Sequence, residues 1–542
     1  MSIRKASVGD GLLPKLTALP RRERTEITRF GGLSAMGKGC VSEMANLSAR
    51  GCGGLATRLP RGLFATLMGS GTPRGMAFFD GSLFYVRGTK LYVTVDGISS
   101  RGIGDVSDSD KLFFVFNDRL YMYPDKLYLE REDDRLYSME LDSGVIQQME
   151  FTGNTMTLPE GKTWGGLGFT VGDGLRVQSE DDNVPAPQGY YHIVSVRGRT
   201  ATVREYLSTT LKSDARLIRE VPDLDGVCVC GNRIYGIHGK DIYVSAEGSA
   251  TDFRSYKGAS GEGPVILHTD SEGDLTACST WQGYVIFFKA DRIYKLLGNR
   301  ADTFVLQERP AVGIPASLAR TLGEVGGALY YCAGGSVFRY RGQDSEWVAS
   351  LAEGTAIDGC GGSDGQAYYL AICKNGVGWK QLVYQPLQDE WYVEDNLHPA
   401  CMLAVEGFLY LLDANGYIWK TSSDGRSTGC RFTEADVYES WEATAVLAPD
   451  YHLQPDLHRP QGLYIRATAT EGACLDVWAE CADGYAGKDA DGTVPVLLGR
   501  FEGKMKDRLL RMQMPSKPCD GVRVTLRMTG DWVIHSMVRE YA

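Results

Sequence analysis

The chain has 542 residues, 43% of them hydrophobic and 23% charged, so it is long enough for three or four units of roughly 150 residues or one multi-bladed fold, and wholesale disorder is excluded. Glycine stands at 66 residues against 20 prolines with no three-residue period, which excludes collagen and linker polymers and marks a chain rich in turns. The formal net charge of −11 argues against a protein that coats nucleic acid by neutralising its phosphates, although it leaves catalysis open.

The opening residues, MSIRKASVGDGLLPKL, lack the continuous apolar stretch of a secretory signal, and no later run approaches the length of a membrane span. The expectation is a soluble chain that is not exported. Residues 1–64 hold the cluster RRER and few periodic strands, and they read as an N-terminal arm, a strand of which is able to complete the last unit of a ring.

From about residue 75 short aromatic and β-branched runs alternate with glycine, asparagine or aspartate turns, first in FFDGSLFYVRGTKLYVTVDG and then in LFFVFNDRLYMYPDKLYLERE. The cadence returns in GVCVCGNRIYGIHGKDIYVS, WQGYVIFFKADRIYKLLGN, GGALYYCAGGSVFRYRG, DGQAYYLAICKN with QLVYQPLQDEWYVED, and VEGFLYLLDANGYIWKTS. Each unit carries a strand with a central aromatic: Tyr92, Tyr121, Tyr243, Tyr294, Phe338, Trp391 and Trp419. Such strands half-bury their aromatics against a neighbouring sheet, and the repeat predicts an all-β fold, a β-propeller of about seven blades over residues 65–145 and 220–420.

Two interruptions divide the chain further. Residues 146–219 set Tyr191, Ile193 and Val196 against Thr200, Thr202 and Tyr206, the pattern of an inserted small β-barrel of SH3-like type. TSSDGRSTG at 421–429 reads as a linker, and the longer strands beyond it, LYIRATA, CLDVWAE, VRVTLRM and WVIHSMVREY, predict a C-terminal β-sandwich over 430–542.

The search for chemistry assigns no catalytic, metal-binding or cofactor-binding residue, and no cofactor is expected. His192, His238, His268, His398, His452, His458 and His535 are scattered without zinc-site spacing, and the nucleophile-elbow and phosphate-loop patterns are absent. GCGGSDG at 359–365 leads into a strand and reads as a hairpin turn. Asp80, Asp118, Asp291 and Asp413 read as turn stabilisers, although carboxylates from distant blades pair without leaving any local spacing. The runs EREDDR and SEDDN read as solvated hairpin tips. Thirteen scattered cysteines read as buried free thiols, and alternation places the close pair Cys228 and Cys230 on one strand face with no partner cluster for zinc.

Within residues 30–62, Met44, Asn46, Leu47 and Ser48 form one element, and Leu55, Arg58, Pro60, Arg61 and Gly62 form a second. Together with FTVGDGLRVQS, YYHIVSVRGRTATVREYL, GNRIYGIHGKDIYVSAEGSATDFRSYKG, GDLTACSTWQGYVIFFKADRIYKLLGNRADTF and the final WVIHSMVREYA, they resemble the stabilisation proteins of phages and prophages of Gram-positive bacteria over most of the chain. The departure is GCGGLAT, where that family carries a Tyr-Pro-rich run. Residues 224–342 are also distantly similar to the packaged-DNA stabilisation and tail-nozzle propellers of short-tailed phages.

The resemblance implies a virion tail or head-to-tail component without an enzymatic step, assembled in the host cytoplasm. Its expected partners are copies of itself in a ring, sixfold by family analogy, and other tail or portal-adaptor proteins. DNA is expected to pass without tight binding, since an acidic wall repels phosphates. Arg58 and Arg61 are candidate subunit contacts, because short basic arms pair with acidic neighbours; the alternative for both is ordinary surface charge. A second reading is a propeller that binds or cleaves host glycans, whose marker, repeated Ser-x-Asp-x-Gly-x-x-Trp turns, is absent. A cellular propeller scaffold would carry Trp-Asp repeat ends, which are missing too.

Overall fold

A computed structural model describes residues 23–33, 40–48, 53–131, 133–207, 210–255, 261–350, 355–422, 442–449, 459–482, 495–515, 518–519 and 521–542. Most of the expected linker at 421–429, and His452 and His458, lie outside them. The chain divides into two units, one drawn from residues 60–389 and 395–433, the other from 1–59, 390–394 and 434–542.

In the first unit, local turn chemistry folds each repeat back on itself. Asp80 and Gly81 both take positive φ, as do Asn117 and Asp118, the conformation a two-residue hairpin demands. They pair Phe79 with Ser82 and Phe116 with Arg119. Repetition of such hairpins gives seven four-stranded antiparallel sheets over 73–105, 112–138, 226–268, 277–310, 323–350, 356–393 and 399–421, numbered here as blades 1 to 7. The chain is a β-propeller.

The ring closes through strand Gly62–Thr66, which pairs with Tyr417–Thr421 as the outer strand of blade 7. The innermost strand of that blade, Pro399–Val405, touches both Ala356–Ser363 of blade 6 and Pro73–Phe79 of blade 1. Gly97 of blade 1 has φ +74°, and a Cβ there would collide with the carbonyl oxygen of Phe64, so this close approach to the closing strand requires glycine.

Between blades the apolar faces merge. Tyr235, Ile237, Ile242 and Val244 of blade 3 pack with Val285, Phe287, Tyr294 and Leu296 of blade 4. Burying each such side chain contributes about 1.5–3 kcal/mol. Similar clusters join blades 1 and 2, 2 and 3, 6 and 7, and 7 and 1. Of the seven central aromatics, Tyr92, Tyr243, Tyr294, Phe338 and Trp419 lie on third strands, whereas Tyr121 is on a second and Trp391 on a fourth. In blade 2 the third-strand aromatic is Tyr128, whose ring centroid is 5.6 Å from that of Tyr121.

Between blades 2 and 3 a closed six-stranded barrel runs from Leu141–Thr152 to Leu211–Arg219, which pair with each other. Its core holds Met149, Phe151, Trp164, Phe169, Ile193 and Leu217. Trp164 Nε1 donates to the carbonyl of Arg199 at 3.0 Å, so the buried indole is satisfied. Tyr191 and Ile193 face inward, but on Thr200–Val203 the inward residues are Ala201 and Val203, and Tyr206 lies beyond the strand.

The second unit is a β-sandwich with sheets of six and five strands. It corrects the expected arm: the described strands before residue 58 belong to these sheets. Glu23–Ile27 and Leu55–Thr57 pair with Trp532–Tyr541, and Val41–Ala45 pairs with Ala443–Leu447. Each supplies two to five residues, too few for alternation to stand out, yet Leu47, Leu55 and Ala56 are fully buried.

Candidate functional site

Arg58 and Arg61 are not surface contacts within this chain: each is only 4% exposed. Arg58 Nε donates to Asn46 Oδ1 at 2.8 Å and its Nη1 to the Leu59 carbonyl at 3.1 Å. Arg61 makes a two-pronged pair with Asp395, at 2.6 and 3.2 Å. A planar guanidinium with matched acceptors is what stable burial of this charge requires, so their role is to fix the chain where it passes from residue 58 to the closing strand.

A buried polar cluster joins the barrel to the propeller. Asp173 sits in the turn before Gly174–Ser179, where its Oδ2 accepts from the Thr170 amide at 2.8 Å and from Arg219 Nη1 at 2.7 Å. Its Oδ1 accepts from Thr251 Oγ1 of the loop after strand Asp241–Val244 at 2.9 Å. Arg219 ends the last barrel strand, and its other nitrogens donate to the carbonyls of Met139 and Ser138 at 2.5 and 2.9 Å.

Beside this pair, His192 Nδ1 meets Asp252 Oδ2 at 2.7 Å, and Ser255 Oγ donates to the same oxygen at 2.6 Å. Ser249 Oγ donates to the Gly172 carbonyl at 2.6 Å. Asp173, Arg219, His192, Thr251, Asp252 and Ser255 are all buried. Gly174 lies so close that a Cβ would come 2.7 Å from Asp252 Oδ1.

A histidine, an aspartate and a serine invite comparison with a nucleophilic triad, but the bonding differs. Ser255 and His192 both bond to Asp252, whereas activation needs the hydroxyl bonded to the imidazole. The arrangement therefore acts as a latch. At its edge Glu205 Oε2 accepts from the His192 amide at 2.8 Å, and burial raises the Glu205 carboxyl above its ordinary pKa.

A second network lies at one end of the ring axis. Arg320, in the short helical turn Ala316–Thr321 between blades 4 and 5, reaches Asp358 of blade 6 at 3.1 Å, the Ala400 carbonyl of blade 7 at 3.3 Å and Asp110, just before blade 2, at 3.5 Å. Arg74 of blade 1 reaches Asp108 and Asp110 at 2.8 and 3.2 Å. One mouth of the axis is thus spanned by paired charges.

The other expected residues are dispersed. Asp413 stabilises its turn by accepting from the amides of Asn415 and Tyr417 and from Trp419 Nε1. Asp80 pairs with Arg131, and Asp291 lies 3.8 Å from Arg292. The run after Glu130 is ion-paired, with Asp134 on Arg101 at 2.5 Å, and it lines an acidic cleft of about 630 Å³ between blades 1 and 2 together with Asp80 and Asp96.

Among the described residues no group of three or more His, Cys, Asp or Glu is arranged for a metal. Cys228 and Cys230 pack with Cys278 at the edge of the blade 3–4 core. A hydrogen bond with Cys278 and burial raise the Cys228 thiol, and burial pushes Cys360 up to about 12, so neither is poised as a thiolate.

The latch residues carried no motif. Their one sequence signal is Arg219, which alternates in phase with Ser213, Ala215 and Leu217 on the barrel's inward face.

No protein-family model matches the chain, and no curated protein matches it. Similar solved structures include BamB from Moraxella catarrhalis, at 8% identity over 71% of this chain and 95% of that one, with a TM-score of 0.33. The computationally designed Ika8 protein matches at 9% identity over 67% and 99%, with a TM-score of 0.29. Hsv2 from Kluyveromyces lactis matches at 9% over 60% and 98%, with a TM-score of 0.28. Likeness of this depth is of fold alone.

Proposed function

We propose that the chain is a non-enzymatic structural protein of a phage tail or head-to-tail region, of the nozzle or stabilisation type, that assembles into a ring retaining and conducting DNA. The observation that carries this reading joins sequence and structure. Two segments singled out by the resemblance, around Leu55–Arg58 and at WVIHSMVREYA, meet in one sheet although 475 residues separate Thr57 from Trp532, whose backbone amide donates to the Thr57 hydroxyl at 3.0 Å. Other resembling segments fall within discrete modules, residues 169–179 and 190–207 in the barrel, 231–255 in blade 3 and 273–304 at blade 4.

The spanned axial mouth bears on where DNA passes. In this reading DNA passes through an opening between subunits and not along the axis of one propeller, where Arg320 pairs with Asp110 and Asp358, so the chain acts as an oligomer; a sixfold ring follows from family analogy. The net charge of −11 suits a wall past which a polyanion slides. In this reading the partners are further copies of the chain and portal-adaptor or tail proteins, the place of action is the virion tail, and the virion is assembled in the host cytoplasm.

Peptide mass spectrometry on purified virions and on separated tails tests this directly. The chain is expected in both at a few copies per particle, and its absence from intact virions of the phage that encodes it overturns the reading.

A further inference from the structure

The start of the chain is basic although the whole is acidic. Residues 1–22, which precede the first described strand at Glu23–Ile27, carry Arg4, Lys5, Lys15, Arg21 and Arg22 against the single acid Asp10, five positive charges less one negative, in a chain of net charge −11. Leu12, Leu13 and Leu16 flank Lys15. Arg58 and Arg61 find their partners inside one copy, so this segment is the basic stretch still free to make a subunit contact. Twenty-two residues span at most roughly 75 Å when extended, enough to leave one copy for the next.

The acidic cleft between blades 1 and 2 has the complementary chemistry. Its volume is about 630 Å³ and its floor is apolar, made by Phe79, Phe84 and Val93. Val95 on the rim is 71% exposed and Ile98, in the same turn, 82%, two aliphatic side chains with no core to fill. Among the carboxylates, Asp80, Glu130 and Asp134 are paired with Arg131, Arg119 and Arg101. Asp96 accepts only from the amides of Ile98 and Ser99, and Asp133 from the Arg135 amide and the Tyr137 hydroxyl; no cation meets either among the described residues. Two uncompensated charges beside apolar surface call for a cation flanked by aliphatic groups. An inorganic cation would meet the charges but leave Val95 and Ile98 bare.

We propose that residues 1–22 of a neighbouring copy dock in this cleft, with Leu12, Leu13 and Leu16 on its apolar side chains and Lys15 beside Asp96 and Asp133. The proposal rests on the ring reading above and names one of its subunit contacts. An arm that leaves one copy and enters the next makes a head-to-tail contact, the kind that closes a ring.

Photo-crosslinking of the full chain tests it, with a benzophenone side chain in place of Leu13 and an equal mixture of isotopically light and heavy copies. Crosslinks between light and heavy copies, falling at residues 82–101 or 133–134, are expected. Asp96→Asn combined with Asp133→Asn keeps the turn acceptors and should cut their yield about tenfold, as should Lys15→Glu, and added salt should lower the yield of the wild type. Crosslinks confined to one copy, crosslinks elsewhere on the surface, or a yield unchanged in the double variant overturn the proposal. Where mass photometry finds monomers only, a synthetic peptide of residues 1–22 with the same photo-reactive group, added in excess to the full chain, decides instead. Saturable labelling of the cleft then supports the docking while the ring reading fails; no labelling there, or equal labelling by a scrambled peptide, overturns the docking as well.

Discussion

Arg219 at the barrel latch and Arg320 at the axis do similar work in different surroundings. Each gathers backbone carbonyls and carboxylates from separated stretches of chain, but the Arg219 side chain is 3% exposed and that of Arg320 is 43% exposed. Removing one partner of a buried, fully bonded pair leaves the other charge stranded, at about 3–5 kcal/mol. An exposed pair is screened by water and contributes about 0–1 kcal/mol. The barrel is therefore held on its blade by a latch that tolerates no loss, while the axial network is a weak tether over a ring already closed by its sheets.

The sharpest way to break this contrast is Arg219→Met, expected to destabilise the chain by about 3–5 kcal/mol in urea unfolding and to raise hydrogen exchange first around Met139 and Thr251. Next comes Gly97→Ala, which presses a Cβ on the Phe64 carbonyl and demands positive φ of an alanine. A loss of about 1–3 kcal/mol is expected, with exchange rising along Gly62–Thr66 as the ring opens at its closure.

Two carboxyls sharpen the comparison through pH. Burial raises Glu205 above its ordinary value of 4.5, so in the window just above 4.5 the native state keeps a proton that the unfolded chain has released, and stability falls as pH rises. Asp125 behaves oppositely: burial pushes its carboxyl up, but the Lys111 ammonium at 2.6 Å and the Ser107 amide outweigh that and hold it below 3.8. Its contribution is present above 3.8 and lost as pH falls. Urea midpoints across pH should lose the first slope in Glu205→Gln and the second in Asp125→Asn. The smallest effect is Arg320→Ala, within about 1 kcal/mol of wild type and shrinking with added salt; a larger cost than that of Arg219→Met would invert the account.

What sequence reading could reach follows the range of the interactions. Blade hairpins were legible because a period of two and a pair of turn residues are local, as at Asp80-Gly81 and Asn117-Asp118. Phase within a blade was less so: an aromatic fits the second strand at Tyr121 or the fourth at Trp391 as well as the third. The strands before residue 58 were missed because each is short and, apart from Leu47–Ser48, which pairs with Leu55–Thr57, each has a partner hundreds of residues away. Arg61 looked like a free basic arm for the same reason, since Asp395 is 334 positions distant. The latch is assembled from single polar residues in turns of two modules, Asp173 from the barrel and Thr251 and Asp252 from blade 3. No spacing rule joins them. Arg219, a charged residue in the apolar phase of a strand, was the one visible sign.

Mass photometry of the purified chain, followed by electron microscopy of the largest species, tests the proposed function most directly. Closed rings of one defined size, sixfold, formed alone or with virion lysate present, are the predicted result. Monomers at every concentration, with and without that lysate, would contradict it.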